Sequence, residues 1–246
     1  MCTVSWAITD DGYELFCNRD ELRSRREAEK PRAFRSEGVE FLAPTDTDAG
    51  GTWLAVNHFG ITVCLLNRYR DAADLQTQAE GFRSRGLLVR DLANAASASV
   101  AWERLGREAM EIYRPFTLLV ADGRGGPIEV AWNGRHLSVP TAAEPPLVSS
   151  SRDPLGVHRR RRQLFAEQVP REATPAALEA FHRSHLPERG AISPCMHRSD
   201  ARTVSFTRIR VTRREVEMAY APGPPCCTPL ESSPRVLERL RAADAA

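Results

Sequence analysis

Residues 2–8 (CTVSWAI) and 13–19 (YELFCNR) are two strand-like runs separated by Thr9-Asp10-Asp11-Gly12, whose Asp and Gly suit a tight turn. Together they predict a β-hairpin that starts at the second residue of the chain. Cys2 then sits at the free end of the first strand, and Asn18 to Glu21 on the second lie beside it. This pairing ties the start of the chain into a sheet, so the remaining elements must be arranged around it.

Further strand signals follow. Thr52 to Asn57 and Ile61 to Leu66 flank His58-Phe59-Gly60, with Gly50-Gly51 in front, and this hairpin delivers Asn67 at its far end. From about Leu75 to Tyr113 the pattern turns helical, with Leu88, Val89, Leu92 and Ala96 at three- and four-residue spacing. Strands return at Phe116 to Ala121 and Ile128 to Trp132. Residues 158–168 read as a helix stopping near Pro170. Another follows Thr174 as N-cap and Pro175 at the first helical position, burying Leu178, Phe181 and Leu186. Thr203 to Val211 and Glu215 to Tyr220 form a last hairpin ahead of a Pro-rich tail from about residue 222. Strands, then helices, then strands point to α+β architecture, antiparallel sheets with helices packed outside. No linker-like stretch divides the 246 residues, so one domain is expected.

Composition mostly excludes. With 42% hydrophobic and 27% charged residues the chain is neither disordered nor fibrous, and a net charge of +2 gives no general attraction to nucleic acid. No apolar run of transmembrane length and no signal peptide is present, so a cytoplasmic protein without stable membrane insertion is expected. Cys2, Cys17, Cys64, Cys195, Cys226 and Cys227 form no CxxC pair, and free thiols are expected in a reducing compartment.

Position 2 becomes the N-terminus once Met1 is removed, and a residue as small as cysteine permits that removal. A thiol attacks a carbonyl as thiolate, and an N-terminal cysteine carries its own base, an α-amine with a reference pKa of roughly 7.7 to 8.0. Within the hairpin, Arg19 would stabilise the thiolate and Asp20 would orient the amine. Asn67 at a strand end is the right kind of donor for an oxyanion. The same residues also admit a plain reading: a cysteine at a frayed terminus, a surface ion pair and a turn-capping asparagine.

The stretches MCTVSWAITDDGYELFCNRDE, AGGTWLAVNHFGITVCLLNRY and SRGLLV, with RTVSFTRIRV later, resemble the NRDE family. That family is named for the tetrad Asn18-Arg19-Asp20-Glu21, and its eukaryotic members are called transport and Golgi organisation protein 2. The resemblance implies an N-terminal-nucleophile (Ntn) hydrolase-like fold, a four-layer αββα sandwich of two antiparallel sheets between helices. It also implies kinship with cysteine amidases and acyltransferases that act on penicillin V, conjugated bile salts and N-acyl amides. Their nucleophile, arginine, aspartate and oxyanion asparagine map onto Cys2, Arg19, Asp20 and Asn67.

The chain departs from the family pattern at LVSSSRD, where Ser150 replaces an asparagine that helps hold substrate. A late arginine of the amidases corresponds to Arg202. Family members are linked to haem trafficking and to lipid or acyl-CoA homeostasis, and fold alone does not settle activity.

Weaker signals remain. Cys195-Met196-His197 has a spacing that could seat a metal or haem iron, but one Cys and one His are not a full ligand set, so no metal or cofactor is assigned. The run His158 to Arg162 reads as a solvated helix face rather than a phosphate or nucleic-acid contact. P-loop, GxGxxG and GxSxG signatures are lacking. Two functions stand: a cofactor-independent cysteine amidohydrolase or acyltransferase acting on a small amide or thioester, or a binding protein that holds haem or an acyl-lipid in the same cleft. The partner in either case is a small molecule, an N-acyl amide, an acyl thioester or haem.

Overall fold

Residue alternation in the opening hairpin decides the layer order. β1 (Cys2–Thr9) pairs antiparallel with β2 (Gly12–Leu22), in register from Cys2↔Arg19 to Thr9↔Gly12. Val4, Trp6, Leu15 and Cys17 share one face and pack into an apolar cluster, while Ala7 and Phe16 face the other way into a second cluster. Both faces are covered, and most of the two strands is buried. Gly12 closes the turn at φ +155°, where a Cβ would come within 2.0 Å of the Val211 carbonyl oxygen.

The structure, a computed structural model, describes residues 2–69, 81–123 and 125–240. After the hairpin the chain lays down a second sheet. Its strands are β3 (Glu29–Ser36), β4 (Val39–Thr45), β5 (Leu54–Asn57), β6 (Thr62–Asn67), β7 (Phe116–Ala121), β8 (Ile128–Trp132) and β9 (Thr141–Ala142), hydrogen-bonded in sequence order. The chain then returns to the first sheet with β10 (Leu147–Ser149), β11 (Ala201–Val211), β12 (Glu215–Ala221) and β13 (Arg235–Glu238), giving the order β10-β1-β2-β11-β12-β13. All of these pairings are antiparallel.

Helices cover the outer faces. α1 (Arg85–Leu92) and α2 (Ala98–Leu105) lie between β6 and β7 and press Leu88, Leu92 and Leu105 onto Val63, Leu65 and Leu118 of the second sheet. α3 (Pro154–Gln168) and α4 (Pro175–Arg183) lie between β10 and β11, with Leu164, Leu178 and Phe181 against Phe16 and Phe206 of the first. Between the sheets, Val4, Trp6 and Leu15 meet Leu54, Val56, Leu66 and Leu119. The result is the four-layer αββα sandwich of the Ntn-hydrolase-like fold.

Both leading hairpins, β7, β8, α4 and the final hairpin lie where the sequence places them. Other elements differ for local reasons. The expected helical segment from residue 75 breaks into α1 and α2, because Ser97 Oγ accepts from Val100 N–H and starts a new helix; residues 75–80 lie outside the described residues. α3 begins at Pro154 rather than residue 158, since Asp153 caps it through Gly156 N–H. Leu186 is exposed, because the chain has left α4 at Ser184. The segment beyond residue 222 supplies β13 at the edge of the first sheet.

The basic run on α3 corrects a sequence expectation more sharply. Arg159 is exposed, but Arg161 is among the largest fully buried side chains. Its guanidinium donates to Thr3 Oγ1 at 2.5 Å, to the Asp20 carboxylate at 3.2 Å, and to the Ile192 and Ala191 carbonyls, both at 3.0 Å. One member of the run therefore joins α3 to β1 and β2, strands inside the first sheet.

Candidate active site

Cys2 lines a cavity of about 500 Å³ formed where β1 begins, where β2 and β6 end, and where residues 49–53 and 81–86 pass. Two glycines let these segments meet. Thr52 N–H donates to the Gly86 carbonyl at 3.0 Å, and a Cβ on Gly51 would lie 2.3 Å from the Gly86 carbonyl carbon. The GGTWL and SRGLLV stretches are thus in backbone contact beside the cavity.

The four residues mapped as catalytic, Cys2, Arg19, Asp20 and Asn67, all line this cavity. Cys2 and Arg19 are directly opposite in the ladder and so point to the same side. The guanidinium of Arg19 lies 4.1 Å over the Trp53 ring, and its Nη2 is 3.5 Å from Asp46 and 3.8 Å from Glu21. Asp20 is fully buried, accepting from Thr203 Oγ1 at 2.7 Å and from Arg161 at 3.2 Å. Asn67 Nδ2 donates to Tyr69 Oη at 3.1 Å, which leaves its second amide hydrogen for another acceptor.

The Cys2 nitrogen donates to Ser149 Oγ at 2.9 Å, because β10 flanks β1 with Cys2 opposite Ser149. Ser150, which sequence reasoning singled out for holding substrate, is the next residue in the same serine run. Ser150 is buried in a local turn, donating to the Arg152 carbonyl at 2.6 Å and accepting from Arg152 N–H at 3.2 Å. It lines a second cavity of about 270 Å³, which it shares with Asn67. Arg202 lines a third, of about 230 Å³, with Arg19 and Glu21. Ser150 and Arg202 thus flank the Cys2 cavity on separate sides. Trp53, Asp46, Ser149, Thr203 and Arg161 were missed; only the Trp in GGTWL carried a signal in the sequence.

The thiol of Cys2 departs from the expected preformed thiolate. The neighbouring Cys17 thiol, followed by burial, pushes its pKa well above the ordinary 9.0, with the chain's N-terminal charge opposing. Arg19 is held by Trp53, Asp46 and Glu21 instead. A thiol raised in this way stays protonated at neutral pH and needs a base at the moment of attack. Alkylation of the Cys2 peptide by iodoacetamide, followed by mass spectrometry, is therefore expected to be slow at pH 7 and to rise tenfold per pH unit to beyond pH 9. Arg19→Ala is expected to leave that profile in place. A rate already flat near pH 7 would show a thiolate and contradict this account.

Among the described residues, no helix is long and apolar enough to cross a membrane. The fold is similar to that of the Caenorhabditis elegans N-acylethanolamine-hydrolyzing acid amidase ortholog, with TM-score 0.58 and 13% identity over 85% of this chain and 92% of that one. It is also similar to penicillin V acylase from Agrobacterium tumefaciens (TM-score 0.52, 9% identity, 97% and 85% coverage). Conjugated bile acid hydrolase from Clostridium perfringens, solved as a C2A mutant, gives TM-score 0.53 and 12% identity over 97% and 92%. At these identities the likeness is one of fold. No curated protein matches the sequence. The family model described as Transport and Golgi organisation 2 matches residues 1–169, which take in the opening hairpin, the whole second sheet and α3, and the chain belongs to that family.

Proposed function

We propose that this protein is an N-terminal-cysteine amidohydrolase or acyltransferase acting on a small amide or thioester. The observation that carries the reading is the position of Cys2. It opens a strand paired on both sides, its side chain lines a cavity of about 500 Å³, and its nitrogen is held by Ser149. Fold similarity to an amidase, an acylase and a bile acid hydrolase supports the same reading.

In this reading Met1 is removed, and the Cys2 nitrogen becomes an amine oriented by its hydrogen bond to Ser149. Cys2 Sγ attacks the carbonyl carbon while its proton passes to the amine, which suits a thiol held protonated at rest. The free amide hydrogen of Asn67 stabilises the oxyanion. Collapse expels the leaving amine or thiol, protonated by the α-ammonium, and leaves an acyl group on sulfur. Water or another acceptor then attacks the thioester, giving up its proton to the amine and restoring the thiol. Arg161 and Thr203 fix Asp20 beside this start of the chain. Ser150 and Arg202, in the flanking cavities, are proposed to bear on longer substrates.

Burial of the thiol favours a second reading, in which the cavity holds haem or an acyl-lipid without chemistry. One measurement separates the two. Untagged protein is examined by intact mass and peptide mapping after exposure to N-acyl amides, acyl-CoA thioesters and haem. The expected result is a chain beginning at Cys2 and an acyl mass on its N-terminal peptide, absent in Cys2→Ala. Retention of Met1 in the reactive fraction, or haem or lipid retained with no adduct, would sink the enzyme reading.

A further inference from the structure

At the far end of the first sheet from the β1–β2 turn, three segments without regular structure converge. His185 follows α4, Cys195 and His197 precede β11, and Cys226 follows β12. One ligand atom from each of the four lies within 4.8 Å of all the others. We infer that His185, Cys195, His197 and Cys226 form a structural zinc site, closed by four protein ligands.

The distances fit a common central ion. With Zn–S near 2.3 Å and Zn–N near 2.0–2.1 Å, a tetrahedral site separates sulfur from nitrogen by about 3.6 Å. Cys195 Sγ lies 3.5 Å from His197 Nε2, and Cys226 Sγ lies 3.4 Å from the same atom. An imidazole nitrogen offers one lone pair or one proton, so hydrogen bonding satisfies one of these two sulfurs and not both. A metal between them accounts for both approaches. Independently, His185 Nε2 is buried with no hydrogen-bond partner, and its ring packs 5.0 Å from that of His197. All four residues are neutral-nitrogen or sulfur donors, a tetrahedral set suited to zinc. Arg23, Arg189 and Arg202 lie near His197, and two thiolates offset the ion's charge, so these cations do not oppose binding. The two thiol protons leave to solvent on binding.

The fold has a use for such a tie. Residues 184–200, between α4 and β11, run longer than the roughly 12–15 residues beyond which unstructured connections become uncommon. Within this run, Asn18 Nδ2 donates to the Pro194 carbonyl at 2.9 Å, and Met196 N–H donates to Thr203 Oγ1 at 2.8 Å. Thr203 Oγ1 in turn donates to Asp20. Zinc at this point would fix the loop that backs Asp20. The site lies beyond residues 1–169 and is separate from the Cys2 cavity.

The test uses untagged full-length protein and two metals, zinc and cobalt. Elemental analysis is expected to find about one zinc per chain, and Co²⁺ exchanged into the site should give intense visible bands with thiolate-to-cobalt charge transfer. Both are expected to fall at least tenfold in Cys195→Ser and in His197→Asn. A strong chelator should lower the wild-type melting temperature while leaving His197→Asn unchanged. Absence of stoichiometric metal together with no cobalt spectrum in wild type would overturn the inference without any variant having to fold. So would a Cys195–Cys226 disulfide in the freshly isolated protein, or full metal content in both variants.

Discussion

Cys2→Ala is expected to abolish turnover of any substrate that acylates the wild-type protein, while Asn67→Ala lowers kcat by about 10²- to 10³-fold, roughly 2.7–4 kcal/mol of transition-state stabilisation. The asymmetry follows from the two roles. Sulfur forms the bond that defines the intermediate in the proposed reaction, and the neighbouring Cys17 thiol is buried and does not line the cavity. The Asn67 amide already spends one hydrogen on Tyr69 and offers the other to a charge that develops only as the carbonyl is attacked. Its removal should therefore change kcat much more than KM. Steady-state kinetics on the two variants decides the matter. Equal losses in KM with unchanged kcat would place Asn67 in substrate binding alone, and ligand affinity unaffected by either change, with no turnover in wild type, would leave a binding protein.

The largest expected effect on stability lies at a residue that does not line the Cys2 cavity. Arg161→Met should cost about 3–5 kcal/mol, because it takes a buried guanidinium away from the buried Asp20 carboxylate and strips donors from Thr3, Ala191 and Ile192. For a domain of this size that corresponds to a fall in melting temperature on the order of 10 °C. Pairing it with Asp20→Asn should recover part of the loss, since the amide carries no charge to be left alone. Thermal denaturation of the two proteins is the measurement. A single variant within about 1 kcal/mol of wild type would show that water or other donors already satisfy Asp20.

What the sequence disclosed about this molecule follows from how locally each feature is encoded. The β1–β2 hairpin was legible because its turn chemistry and its alternation agree, and ladder register then places Arg19 opposite Cys2. α4 was legible from a cap and a proline at adjacent positions. β3, reading EKPRAFRS, was missed because charge dominates a strand at the sheet edge, where one side needs no partner. The burial of Arg161 was invisible because its reason, Asp20, lies far away in the chain. The bond from Cys2 to Ser149 was invisible because which serine of the run lies opposite Cys2 is decided by strand pairing alone. The thiol of Cys2 was expected to be acidic from its neighbour Arg19; Cys17, contributed by the same strand, and burial push it the other way.

The strand order has a consequence for how the chain must be made. β2 carries Arg19 and Asp20, but the strand that completes its second edge, β11, arrives only after the entire other sheet and four helices have been synthesised. Thr203 reaches Asp20 across 183 positions. Until then the growing chain presents β2 with an open row of backbone donors and acceptors and a largely apolar face, the kind of template on which nascent chains pair wrongly. Closure of so long a loop is also slow compared with local hairpin formation. Assembly of the surroundings of Cys2 is therefore a late event in biogenesis, held back until β11 has left the ribosome.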